Sequence, residues 1–295
     1  MTSLLQPEPH LAADRPRGDV FVLSGGAARG AVQVGMVGAL LDAGIRPAAL
    51  VGTSVGALNA AYVAGHATLD GVAALEERWE RLTRRDVFPG GTLGRLGHLA
   101  RHHASLYSAD GLARLVRDWL PAPRVEDLPL PLRVVTTHLD TGAAVYHRRG
   151  PLAELLLASA ALPAIFDPVV LRDTETGAHA AHVDGGVADL VPVTGVVDLA
   201  ADPVGGVVPR RVFVLDASVP VRPVPSRSPI HVLVACLGVA MRVRALPDLG
   251  LDVEVHHLRA PDLGTRMVDF SRTREHVALG RRAVERLLVT ADVAA

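Results

Sequence analysis

Residues 20–56, VFVLSGGAARGAVQVGMVGALLDAGIRPAALVGTSVG, place two glycine-rich turns on either side of one helix-length segment. No other stretch limits the possible folds as much. The run 19–23 is short, apolar and ends at Ser24 and the glycines, the pattern of a buried strand. Val32, Met36, Val37, Leu40 and Leu41 then recur at helical spacing, and Gly44 with Pro47 ends that helix. Leu50 and Val51 form a second short strand that runs into Gly52-Thr53-Ser54-Val55-Gly56, and a further helix starts near Ser54. A strand–turn–helix unit repeated within about fifty residues predicts a parallel sheet with helices on both faces. Both turns then lie at the carboxyl ends of strands, where such sheets hold their ligands.

The remaining elements follow in order. Helices are expected over 70–85, 108–120, 152–161, 233–243 and 272–289. Strands are expected over 132–137, 143–147, 169–171, 180–183, 211–215 and 253–258. Residues 1–17 read as a loose leader, and 18–295 as one domain with 66–125 as a helical insertion or cap. No stretch approaches the roughly 18 consecutive apolar residues of a membrane span, and no basic-then-apolar leader is seen, so a cytoplasmic protein is expected. The apolar run 229–241, with Arg227, Arg242 and Arg244 at its ends, reads as a buried core helix in preference to an interfacial patch. Cys236 within it then reads as a buried, inert thiol.

Composition narrows the chemistry. All 30 basic residues are arginine, which removes Schiff-base, Ser-Lys and P-loop lysine mechanisms. A net charge of −1 gives no nucleic-acid signature. One cysteine allows neither an internal disulfide nor a multi-Cys zinc site. His98 and His102 stand at metal-ligand spacing, but no third ligand is evident, and a solvated helix face is the better reading.

Gly52-Thr53-Ser54-Val55-Gly56 fits a G-x-S-x-G elbow, in which small neighbours let a tight strand-to-helix turn push the serine hydroxyl outward. The upstream turn, Gly25-Gly26-Ala27-Ala28-Arg29-Gly30, offers successive backbone N–H groups at a helix start, with Gly25 and Gly26 free to take positive φ. The competing dinucleotide reading fails on two counts. The turn lacks the middle glycine of G-x-G-x-x-G, and no acidic residue ends the second strand. For a base, His179, His182, His256 and His257 are candidates, the last two in the chain order of an α/β-hydrolase triad. So is Asp184 of Asp184-Gly185-Gly186, which ends a strand-like run and would gain basicity from burial. A purely structural aspartate is equally open on these grounds.

Four blocks in order, LSGGAARGAVQVGMVGALLDAGIRPAALVGTSVGALNAAYVAG, LRVVTTHLDTG, ASAALPAIFDPV and HVDGGVADLVPV, resemble the bacterial patatin-like phospholipases. The resemblance implies a three-layer α/β/α sandwich with a mostly parallel central sheet. It implies a serine lipid acyl hydrolase of phospholipase A or carboxylesterase type, with Ser54 as nucleophile and Asp184 as base. The backbone of Gly25, Gly26, Ala27, Ala28, Arg29 and Gly30 would form the oxyanion hole. Gly52 and Gly56 would support the elbow, and Gly185 and Gly186 the Asp loop. It further implies no metal and no organic cofactor, a lipid or fatty-acyl ester as substrate, and transient contact with a membrane surface. Two positions depart from the family pattern: Ala27 stands for a third glycine, and Leu190 for an asparagine before Pro192. An α/β-hydrolase-type esterase with a Ser-His-Asp triad, or a weakly active interaction module, are the alternatives.

Overall fold

A computed structural model describes residues 15–89, 105–173, 176–218, 229–242, 247, 249–250, 252–261 and 268–291. His98, His102, His103, Arg227, Arg244 and most of the leader lie outside the described residues.

The strands are β1 (Arg17–Leu23), β2 (Pro47–Thr53), β3 (Leu132–His138), β4 (Ala144–His147), β5 (Val169–Arg172), β6 (His179–Asp184), β7 (Val208–Asp216) and β8 (Glu254–Arg259). They form one sheet in the order β5-β6-β3-β2-β1-β7-β8, with β4 paired to β3 off that path. From β3 through β8 the path is parallel, while β4, β5 and β6 add antiparallel pairs. The sheet is therefore mixed but mostly parallel, as expected. The helices are α1 (Ala31–Asp42), α2 (Val55–Gly65), α3 (Leu69–Arg81), α4 (Arg84–Val87), α5 (Asp110–Trp119), α6 (Leu152–Ser159), α7 (Gly186–Asp189), α8 (Thr194–Ala201), α9 (Pro229–Arg242) and α10 (Thr273–Ala291).

Side chains alternate across β1. Phe21 and Leu23 enter the larger core with α1, α2 and α3, while Val20 and Val22 enter a smaller core with Val196 and Leu199 of α8. Helices thus cover both faces, and the layers are α/β/α. The described part of 66–125, including Leu75, Trp79, Leu112 and Trp119, packs into the larger core.

Helix α1 is buried on every side from Ala31 to Leu41, not along one stripe. The reason is backbone contact with α10. A Cβ at Gly35 would stand 1.9 Å from the Val277 carbonyl oxygen, and one at Gly280 would stand 2.0 Å from that of Val32. Neither backbone can yield without separating the helices. Gly35→Ala is expected to cost about 3 kcal/mol by overpacking, read as a lowered urea midpoint with an unchanged slope.

Two expectations fail at α9. The helix is not buried: Val232 and Val239 are 47% and 50% exposed. Cys236 is exposed as well, not a buried thiol. Among its described side chains the covered ones, Leu237, Gly238 and Met241, line a cavity, and the others face outward. Among the described residues no helix is long and apolar enough to cross a membrane.

Candidate active site

The central feature is a register effect. Residues 134–135 of β3 pair with both β2 and β4, so those two strands occupy opposite edges of β3. Residues 136–137 pair with both β4 and β6, so β6 shares the edge that β2 occupies. β2 runs parallel to β3 and β6 antiparallel, and their carboxyl ends meet between Val135 and Thr136. Ser54 follows directly on β2 and Asp184 ends β6. The two strands deliver these residues to one point although 130 positions separate them.

There the Ser54 hydroxyl donates to Asp184 Oδ2 at 2.7 Å. Asp184 Oδ1 accepts the Gly186 N–H at 2.7 Å. Asp184 is 3% exposed. Burial pushes its carboxyl up to about 6, and the bonds from Ser54 and Gly186 oppose that rise without cancelling it. Ser54 sits at φ 55°, ψ −126°, a sharp turn held under backbone strain. Packing explains the elbow glycines. A Cβ at Gly52 would stand 2.6 Å from the Gly56 oxygen, and one at Gly56 would stand 2.3 Å from the Leu23 oxygen.

One segment clamps both halves of the pair. Ser159, at the end of α6, accepts the Ser54 N–H at 2.9 Å and donates to the Val135 carbonyl at 2.6 Å. Its own carbonyl accepts the Gly185 N–H, and that of Ala161 accepts the Asp184 N–H. Thr137 Oγ1 donates to the Asp184 carbonyl and accepts the Ala188 N–H. Thr53 Oγ1 donates to the Asp189 carbonyl. These residues were not singled out from the sequence, where a buried serine on a helix end carries no mark.

The glycine turn between β1 and α1 differs from expectation in one respect. Positive φ falls on Ala27, at 50°, and not on Gly25 or Gly26. An L-residue in that region costs about 1 kcal/mol or more. Ala27→Gly is therefore expected to raise stability by about 1 kcal/mol, seen as a thermal midpoint higher by a few degrees. Within the turn, the Gly25 N–H donates to the Leu190 carbonyl, and the Arg29 N–H to that of Gly26. The N–H groups of Gly26, Ala27 and Ala28 find no acceptor among the described residues. Leu190 meets the turn through that carbonyl, and its side chain lies against Gly25 and Gly186. A buried polar chain fixes the turn to the helices. Gln33 Nε2 donates to the Ser24 and Leu215 carbonyls, Asn59 Nδ2 to Gly30 O and Gln33 Oε1, and Trp79 Nε1 to Asn59 Oδ1.

Both turns open on a cavity of about 290 Å³ lined by residues 25–29, Ser54 and Asp184. Its other walls are mainly apolar, with Trp79, Phe88, Leu112, Trp119, Phe166 and Met241 among them. The described part of 66–125 thus forms one wall.

The histidines are not gathered at this point. His182 shares a 2.8 Å hydrogen bond with Thr136, and burial holds its imidazole below the ordinary value. His257 is bonded to Asp216 at 3.0 Å, His256 stacks on Phe213, and His179 is exposed. Among the described residues no histidine bonds Ser54 or Asp184, so none of His179, His182, His256 and His257 completes a Ser-His-Asp triad with them. No group of three or more metal-ligating side chains occurs among them either.

Comparison with known proteins adds the lineage. The family model described as patatin-like phospholipase matches residues 21–197. An uncharacterized NTE family protein of Mycobacterium tuberculosis is 31% identical over 201 residues, 66% of this chain and 51% of the relative. Patatin-like phospholipase domain-containing protein 7 of Rattus norvegicus is 30% identical over 175 residues, 58% of this chain and 12% of the relative. Neuropathy target esterase sws of Drosophila melanogaster is 27% identical over 183 residues, 61% of this chain and 12% of the relative. The chain spans about half the length of the mycobacterial relative and a small part of the animal ones.

Proposed function

Because the chain belongs to the patatin-like phospholipase family, we propose that it is a serine lipid acyl hydrolase working through Ser54 and Asp184. The observation that carries this reading is the 2.7 Å Ser54–Asp184 hydrogen bond on the wall of an apolar cavity.

Asp184 takes the Ser54 proton as Oγ attacks the ester carbonyl, forming the tetrahedral intermediate. A carboxyl near pH 6 is ionised at neutral pH and is still basic enough to hold that proton. The N–H groups of Gly26, Ala27 and Ala28 are the donors left for the oxyanion. The intermediate collapses, and the alcohol leaves with the proton from Asp184. Water then gives its proton to Asp184 and attacks the acyl-enzyme. The second intermediate releases the fatty acid, and the proton returns to Ser54. Leu112, Trp119 and Phe166 supply the surface against which the acyl chain lies, which gives the 66–125 segment its role as a cap within a single 18–295 domain. The substrate class is a fatty-acyl ester of phospholipid or neutral type.

The test is a lipid-class panel: phospholipids, lysophospholipids, acylglycerols and short p-nitrophenyl esters, with Ser54→Ala as blank. Release of fatty acid above that blank from at least one class is the expected result. Labelled-lipid assays showing none from any class would leave an interaction module.

A further inference from the structure

The helix α9 is apolar on two opposite sides. Leu237, Gly238 and Met241 line the cavity that holds Ser54. On the other side Val232, Ala235, Cys236 and Val239 stand at i, i+3, i+4 and i+7, the spacing of one helix face, and all four are exposed. Ala240, beside them, is exposed too. At 100° per residue the cavity-facing and exposed groups fall on opposite halves of the helix. Other large exposed apolar side chains, such as Leu69, Val204 and Val289, belong to separate elements. A surface helix normally spends its outer stripe on charge. This one has no acidic residue, and neither has the whole sequence from 217 to 247. That same stretch contains Arg222, Arg227, His231, Arg242 and Arg244, in a chain whose net charge is −1.

We infer that α9 is a lipid-docking helix, which lays its Val232–Val239 stripe on an anionic lipid surface while its inner stripe walls the acyl cavity. This rests on the hydrolase reading for its purpose, since a lipid crossing from the surface into the cavity would pass along one helix. Its physical basis is separate. An apolar stripe inside a segment of basic and no acidic charge suits the boundary between head groups and acyl chains, where both terms favour binding. A second copy meeting this stripe with its own would bring the same basic residues and no acidic ones to the contact, and so would draw nothing from the unbalanced charge.

The test separates docking from catalysis. The full chain carrying Ser54→Ala is sedimented with vesicles of phosphatidylcholine alone or mixed with phosphatidylglycerol. Binding should be at least about tenfold stronger to the anionic vesicles and should weaken with added salt. Adding Val232→Glu and Val239→Glu should lower it by about tenfold or more. In the otherwise unmodified chain those two changes should leave hydrolysis of a soluble short-chain ester as it was, which also shows that the fold is intact. No binding to either vesicle, or binding that the double variant keeps, would overturn the inference. So would a dimer in light scattering that the double variant dissolves. Failure of docking with soluble-ester hydrolysis intact leaves the hydrolase reading standing. Vesicle binding without any ester hydrolysis would support docking and sink the hydrolase.

Discussion

Ser54→Ala is expected to lower kcat on any substrate by on the order of 10⁴ to 10⁶, to the rate of the buffer. The hydroxyl is the attacking group, and no other described side chain stands in its place. The fold should survive the change. Alanine meets the same backbone strain at φ 55° that serine does. Asp184 loses the donor to Oδ2 but keeps the Gly186 N–H on Oδ1. With its carboxyl already raised to about 6 by burial, it can take up a proton instead of remaining an unpaired charge. The check is kcat on a p-nitrophenyl ester together with a thermal midpoint at pH 6. A Ser54→Ala variant that keeps a tenth of the activity would place the nucleophile elsewhere.

Asp184→Asn should lower kcat by about 10² to 10⁴, with KM nearly unchanged, because the amide keeps the shape and loses the base. It should also change stability in a defined direction. The folded carboxyl sits near 6 against 3.8 when exposed to water. The stability it contributes is fully present below pH 3.8 and is lost as pH rises through about 6. Above that the folded state holds a charge out of water, at a cost of up to about 3 kcal/mol. The asparagine variant has no such loss. Its thermal midpoint should therefore gain on the parent between pH 4 and pH 7, while its activity is lost. The parent's kcat should fall on acidification with a midpoint near pH 6. Parallel stability curves for parent and variant would contradict the raised carboxyl.

The elbow around Ser54 was legible because its chemistry is local: an apolar strand, two small flanking residues and a helix start. The strand and helix order of 18–65 was legible for the same reason, since each period is written in ten residues or fewer. Asp184 was harder. From residues alone it was as good a structural aspartate as a base, and the resemblance to a family singled it out. Its meeting with Ser54 depends on β2 and β6 sharing one edge of β3, a long-range register that no local pattern records. Ser159, Gln33 and Asn59 went unmarked because a buried polar residue differs from an exposed one only through its partners. The turn was legible as a nest of N–H groups, but which amides are occupied is set by Leu190, some 165 positions away. At α9 the sequence misled for a physical reason. A helix apolar all round is the pattern of a core helix, and one with a cavity on one side and solvent on the other has the same composition.

The claim that Ser54 is activated by Asp184, and by no histidine, is tested most directly by covalent labelling. The parent, Ser54→Ala, Asp184→Asn, His182→Ala and His257→Ala would each be treated with a fluorophosphonate and followed by intact mass. The expected result is one adduct per chain in the parent, none in Ser54→Ala, strongly slowed labelling in Asp184→Asn, and parental rates in both histidine variants. Labelling that persists in Ser54→Ala, or parental labelling in Asp184→Asn with loss in His182→Ala or His257→Ala, would contradict it.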